Sequence, residues 1–328
     1  MLQYCRLVAL LCLHTGVAFA VLSELQIANA QAPNRGQEEK EVGEATSIGQ
    51  KELEQDKSTD TNRKDETPRK IQIGEGTPTQ VEVGRIAFPT YEFDPGKKRL
   101  FYGLYLPQGF ERSKTYPLIV VLHGLNGSPG QILAYPGLTK HADDEGYILV
   151  APMGYNARGW YGSRGKGGGR RGDPPNLGEL SEKDVMNVLE LTQEEFQIDP
   201  NRIYLFGHSM GGGGSMHLAM TYPDLWAAMA VVAPAAYGDT GRLQTAKDIP
   251  AYVVQGDKDR LVSVRQTRRW VEKMEQIGMK HEYIEVKNGG HVFLAWQHFD
   301  GIFTFFADNP KQNKVDPRNA TEETPTTL

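Results

Sequence analysis

Between residues 81 and 309 the chain alternates two kinds of hydrophobic pattern. Leu118-Ile119-Val120-Val121-Leu122 is an unbroken apolar run rich in β-branched residues, as expected of a strand buried on both faces. The runs at 147–151, 203–206, 228–232, 252–254 and 283–286 repeat that pattern. Residues 99–106 instead alternate apolar and polar, which predicts an antiparallel strand near one edge. Helical patterns lie between the strands. In 184–196, Val185, Val188, Leu189, Thr192 and Phe196 fall on one stripe, 264–277 behaves likewise, and 212–220 is a small-residue segment able to start a helix. Asp199-Pro200 is expected to close the helix at 184–196. Strands alternating with helices predict an α/β fold, a mostly parallel central sheet with helices on both faces. In such sheets function gathers at the carboxyl ends of the strands.

The flanks read differently. Arg6 precedes the apolar stretch 7–13, and Ala18-Phe19-Ala20, Ala28-Asn29-Ala30 and Ala30-Gln31-Ala32 offer cleavage sites, so 1–32 is expected to be a secretory signal peptide and the product secreted or periplasmic. The stretch is too short for stable membrane insertion. Cys5 and Cys12 both lie within it, leaving the rest of the chain without cysteine. Residues 33–80 are dense in Glu, Lys, Asp, Thr and Gly with no aromatic residue, a composition expected of a disordered spacer, and 310–328 is expected to be a similar tail. A net charge of −5 gives no reason to expect a nucleic-acid partner. One glycosylation sequon, Asn319-Ala320-Thr321, falls in that tail; a second, Asn126-Gly127-Ser128, falls in the domain.

Three segments inside the domain carry candidate chemistry. Gly207-His208-Ser209-Met210-Gly211 stands between the strand at 203–206 and the small-residue segment at 212–220. A serine on a sharp strand-to-helix turn is forced into a strained conformation with its hydroxyl thrust out of the sheet, and glycines two residues to either side avoid collisions. A serine hydroxyl is a weak nucleophile unless a base stands within reach, itself oriented by an acid. Gln255-Gly256-Asp257-Lys258-Asp259 follows the strand at 252–254, so Asp257 and Asp259 both qualify as the acid. Asn288-Gly289-Gly290-His291 follows the strand at 283–286, and its glycines allow the loop to fold His291 over the serine. Met210 N–H, next after the nucleophile, is one expected oxyanion donor; another is expected from the loop 123–127.

The chain resembles the α/β-hydrolase superfamily. The resemblance covers most of 104–306 and rests on Leu122-His123-Gly124, on 207–211, on Gly256-Asp257-Lys258-Asp259-Arg260-Leu261-Val262 and on Gly289-Gly290-His291. Within it the chain looks most like secreted esterases of the feruloyl/acetylxylan esterase and polyhydroxybutyrate-depolymerase type, with prolyl oligopeptidase-type peptidases as neighbours. The resemblance implies an α/β-hydrolase fold, the order Ser…Asp…His, and a triad of Ser209, Asp259 and His291. It assigns the acid to Asp259 with Val262 packing behind it, leaves Asp257 as a turn residue, and selects Leu125 as the second oxyanion donor.

Residues 156–180 are rich in glycine and carry Arg158, Arg164, Lys166, Arg170 and Arg171 beside Trp160 and Tyr161. They are read as a lip over the pocket with Trp160 as a stacking platform, or else as a solvated surface excursion. His208 beside the nucleophile and Trp296 beyond His291 are further substrate-binding candidates. No residues have metal-ligand spacing and no phosphate-binding glycine loop occurs, so no metal and no cofactor is expected. The expected partner is a small-molecule or polysaccharide-linked ester. A serine peptidase and a non-catalytic carbohydrate-binding protein of the same fold are the competing readings.

Overall fold

The apolar run at 118–122 forms the middle of a nine-stranded sheet. The computed structural model describes residues 70–73, 79–94 and 98–311. The signal peptide expected at 1–32, most of the spacer and all but the first residues of the tail lie outside the described residues. Within the expected spacer, β1 (Lys70–Ile73) pairs antiparallel with β2 (Thr79–Glu82). The main sheet contains β3 (Ile86–Ala87), β4 (Thr90–Phe93), β5 (Lys98–Tyr105), β6 (Tyr116–Leu122), β7 (Ile148–Pro152), β8 (Ile198–His208), β9 (Ala228–Val232), β10 (Ala251–Gly256) and β11 (His281–Val286). Its order is β11-β10-β9-β8-β6-β7-β5-β3, with β4 paired to β5. From β11 to β7 every pairing is parallel; β5 pairs antiparallel with β7, β3 and β4.

The continuous apolar runs are explained by cover on both faces. Leu118, Val120 and Leu122 pack with Val185, Val188, Leu189, Trp226 and Trp270. Ile119 and Val121 pack with Tyr204, Phe206, Phe299, Phe303 and Phe306. The covering helices are α1 (Pro129–Leu133), α2 (Leu138–Glu145), α3 (Leu177–Glu195), α4 (Met210–Thr221), α5 (Val264–Gln276) and α6 (Phe299–Asp308). Among the described residues no helix is long and apolar enough to cross a membrane.

Two expectations need correction. Helix α3 begins at Leu177, not at 184, because its buried face carries Ser181 and Asp184, polar residues that break the apolar period. Asp199-Pro200 does not end that helix. The helix stops at Glu195, and both residues already belong to β8, where a register irregularity opposite Tyr116–Leu118 accommodates the proline.

The polar residues on α3 are satisfied in a way that shapes the catalytic edge. Asp184 Oδ2 accepts from Gly154 N–H at 2.7 Å and Tyr155 N–H at 3.0 Å, while Oδ1 accepts from the Tyr91 hydroxyl. One buried carboxylate thereby joins β4, the turn leaving β7, and α3. Burial raises its pKa against these three donors. Removing the carboxylate strands all three donors away from water. Asp184→Ala is expected to lower unfolding stability by about 3 kcal/mol or more, read as the shift of the denaturant midpoint; a shift within error would refute the account.

Candidate active site

Parallel pairing puts the ends of β6, β7, β8, β9, β10 and β11 at one edge, and each candidate loop leaves from there. Leu122 is opposite Gly207, Gly207 is opposite Val231, and Gly256 is opposite Val286. Between β8 and α4, Ser209 adopts φ 59° and ψ −117°, a region sterically hostile to any residue with a side chain. The turn closes so tightly that a Cβ on Gly207 would lie 2.2 Å from Gly211 O, and one on Gly211 would lie 1.9 Å from Leu122 O. Ser209 is held by its own backbone: its N–H donates to Val232 O at 2.9 Å, and its carbonyl accepts from Gly213 N–H and Ala235 N–H at 3.1 and 2.9 Å.

Of the two candidate aspartates it is Asp259 that meets His291, with Nδ1 to Oδ2 at 2.7 Å. The other acceptor positions of Asp259 are filled by Gln255 Nε2 at 3.1 Å on Oδ2 and by Leu261 and Val262 N–H at 2.8 and 2.9 Å on Oδ1. Burial works to raise this pKa, but His291 and the two backbone donors outweigh it and hold the carboxyl below its ordinary range. A carboxylate at Nδ1 requires the proton there, which leaves the lone pair of His291 on Nε2. Asp257 lies in the turn after β10, as expected, but its Oδ1 is buried without a hydrogen bond among the described residues. Gln255 was not singled out in the sequence; its only signal is a polar residue ending a buried strand, and Thr267 Oγ1 orients it by donating to Oε1 at 2.7 Å.

His208 joins His291 to the turn carrying Ser209. Its Nε2–H donates to His291 O at 2.9 Å, so Nδ1 accepts from the Tyr135 hydroxyl at 2.8 Å, and the His208 and His291 rings lie 5.0 Å apart. Burial, followed by the neighbouring His291, pushes the His208 pKa down to about 4. Ser209 Oγ and His291 Nε2 do not hydrogen-bond to each other in this structure, and such contacts commonly tighten only around substrate.

The two expected oxyanion donors share one property. Neither Met210 N–H nor Leu125 N–H has an acceptor among the described residues. Their loops are adjacent, since a Cβ on Gly124 would lie 3.6 Å from Ser209 Cβ. The 123–127 loop is braced from the segment after β7. His123 ring nitrogens lie 2.8 Å from Gly124 O and 3.0 Å from Met153 O, Asn126 N–H donates to Ala157 O at 2.8 Å, and the Tyr161 hydroxyl donates to His123 O at 3.3 Å. Ser181, whose Oγ receives Tyr161 N–H at 3.0 Å, was also not singled out, and Tyr161 was named only as part of 156–180, without this bracing role.

A family model described as "Putative esterase" matches residues 97–301. The chain belongs to this esterase family. It is 30% identical over 149 residues to S-formylglutathione hydrolase of Rattus norvegicus (42% of this chain, 52% of that protein) and 27% identical over 154 residues to feruloyl esterase B of Thermothelomyces thermophilus (45% and 48%). The chain therefore spans about half the length of these curated relatives. Among solved structures it is similar to an S-formylglutathione hydrolase from Agrobacterium tumefaciens, at TM-score 0.57 and 15% identity over 74% of this chain and 99% of that one. It is also similar to a ferulic acid esterase from Anaeromyces mucronatus, at TM-score 0.54 and 17% identity over 69% and 90%. These likenesses establish the α/β-hydrolase fold.

Apolar side chains are exposed on the loops around the candidate site. Leu125, Tyr237, Leu261 and Phe293 are exposed apolar side chains on the loops of this edge. Trp296 lies in a short 3₁₀ turn, its ring 5.8 Å from Tyr135 and 5.1 Å from Phe293, so it reaches the site through Tyr135 and His208. Trp160 is buried, its face covered by Arg164 at 3.6 Å, so any platform it offers is presented through that guanidinium.

Two tests follow from this geometry. Gly211→Ala drives a methyl into Leu122 O and is expected to abolish folding or activity, whereas Gly109→Ala, with open space around it, leaves both intact; equal behaviour of the two in expression and activity would refute the close-approach account. The second concerns acid. Unfolded His208 takes up a proton near pH 6.5, but the folded ring stays neutral to about 4, so its contribution is present above 6.5 and lost as pH falls toward 4. The stability advantage of wild type over His208→Asn should shrink by on the order of 3 kcal/mol between pH 7 and pH 4. A constant difference across urea melts would contradict it.

Proposed function

We propose that the chain is a serine hydrolase of carboxylic esters, working through Ser209, His291 and Asp259 and an acyl-enzyme intermediate. The observation that carries this reading is the strained Ser209 next to His208, which bonds the His291 carbonyl, together with the buried Asp259–His291 pair whose Nε2 carries the free lone pair. Ser209 Oγ attacks the ester carbonyl while His291 Nε2 takes its proton. The oxyanion accepts from Met210 and Leu125 N–H, the alcohol leaves with the proton from His291, and water then repeats the sequence to release the acid. Asp259 keeps the imidazole in the required tautomer and stabilises its charged form.

The substrates we propose are short-chain acyl esters or esters linked to polysaccharide, in keeping with relatives named feruloyl esterase and acetylxylan esterase. The pattern of residues 1–32 supports export, so the site would work in a secreted or periplasmic setting. Ser209→Ala is expected to lower hydrolysis of p-nitrophenyl acetate by about 10⁴-fold or more, to abolish fluorophosphonate labelling, and to leave the thermal transition in place. Retained labelling in that variant would remove Ser209 from the role. A wild-type protein that cleaves peptide but not ester panels would favour the peptidase reading.

A further inference from the structure

Arg164, on the segment that follows β7, has a fixed place and, among the described residues, no hydrogen-bonded or ionic partner. The Arg164 guanidinium lies 3.6 Å from the Trp160 ring centroid and 5.2 Å from that of Tyr237, and the two rings meet edge-on at 6.2 Å. Arg164 makes no hydrogen bond or ion pair among the described residues. Its neighbours are engaged: Arg158 Nε and Nη2 grip Asp173 at 3.0 and 2.9 Å, and Lys166 faces Glu179 at 3.1 Å. The nearby acid Glu182 is taken by His217 and Tyr222 at 2.6 and 2.7 Å. Among the described residues the side chains of Arg170 and Arg171 also lack an acidic partner, so the segment keeps a positive excess.

The aromatic supports are tied to the nucleophile turn. Trp160 and Tyr161 take φ 59° and 50°, a region costly for bulky side chains, and Tyr161 is pinned there by Ser181 Oγ and His123 O. On the other side, Ala235 N–H donates to Ser209 O, and Ala236 O accepts from Gln266 Nε2 at 2.6 Å and Trp270 Nε1 at 3.0 Å, which fixes the approach to Tyr237. Stacking holds a guanidinium by its faces and leaves its fork of N–H donors for an acceptor in the ring plane. A fork already oriented loses little freedom on pairing, unlike an ordinary exposed arginine.

We propose that Arg164, held by Trp160 and Tyr237, is a subsite for a carboxylate carried by the ester substrate. This rests on the ester-hydrolase reading and adds the charge of the substrate to it. The carboxylate belongs either to a small acidic ester or to a uronic-acid polymer. The test compares acetate release from 4-acetoxybenzoate with release from its neutral methyl ester, and from acetylated polygalacturonate with release from acetylated xylan, in wild type, Arg164→Gln and Arg164→Lys. The ratio of kcat/KM for the anionic substrate over its neutral counterpart should fall about tenfold in Arg164→Gln, chiefly through KM, as for loss of one charge-assisted pair. Arg164→Lys should restore part of it. A fall in the small pair supports the subsite with a small acidic ester, and a fall in the polymer pair alone supports it with a polyuronate. Unchanged ratios in both pairs overturn it. Wild type inactive on every ester would instead overturn the hydrolase reading.

Discussion

How closely α4 approaches β6 and β8 decides what the rest of the site can be. A helix sits this near a sheet only where side chains are missing, and Gly207 and Gly211 provide the gap: a Cβ at 211 would overlap Leu122 O at 1.9 Å. The chain must then reverse within one residue, which places the backbone strain on Ser209 at φ 59°. That strain persists because the surroundings over-determine it, through Val232 O on its N–H and two donors on its carbonyl. The reversal leaves Met210 N–H without an acceptor among the described residues at the start of α4, beside the loop carrying Leu125. The strained Ser209 and the open Met210 N–H are thus consequences of the same packing.

The second element is a charge kept in a place where charge is costly. Asp259 is excluded from water, and what keeps it ionised is a complete set of donors from Gln255, Leu261, Val262 and His291. Three come from its own loop and strand, so the carboxylate is positioned before any substrate arrives. His291 is held at its ring by Asp259 and at its carbonyl by His208. Because His208 precedes Ser209, His291 and Ser209 share a backbone reference.

Around these lies a brace running from α3 to the oxyanion loop. Asp184 holds the turn after β7, Ser181 holds Tyr161, and Tyr161, Met153 and Ala157 hold 123–127. Backbone strain at Trp160 and Tyr161 is therefore stored on a segment that braces the 123–127 loop and also carries Arg164.

The sheet and its edge were legible because strand burial writes itself into long apolar runs, and 118–122, 228–232 and 252–254 fall inside observed strands. The elbow was legible because steric need for glycine is local, and so it shows as spacing around Ser209. Resemblance, not spacing, preferred Asp259 over Asp257. What local pattern could not convey was long-range hydrogen bonding: the start of α3 was hidden by Ser181 and Asp184, whose partners lie in other elements. Sequence alone determined which residue types stand at the carboxyl ends of which strands, since periodicity and turn sterics act between near neighbours. Only the tertiary structure decided that Asp259 meets His291, that His208 links it to the turn carrying Ser209, and that Arg164 stacks on Trp160, because those contacts depend on how distant loops converge across parallel strands.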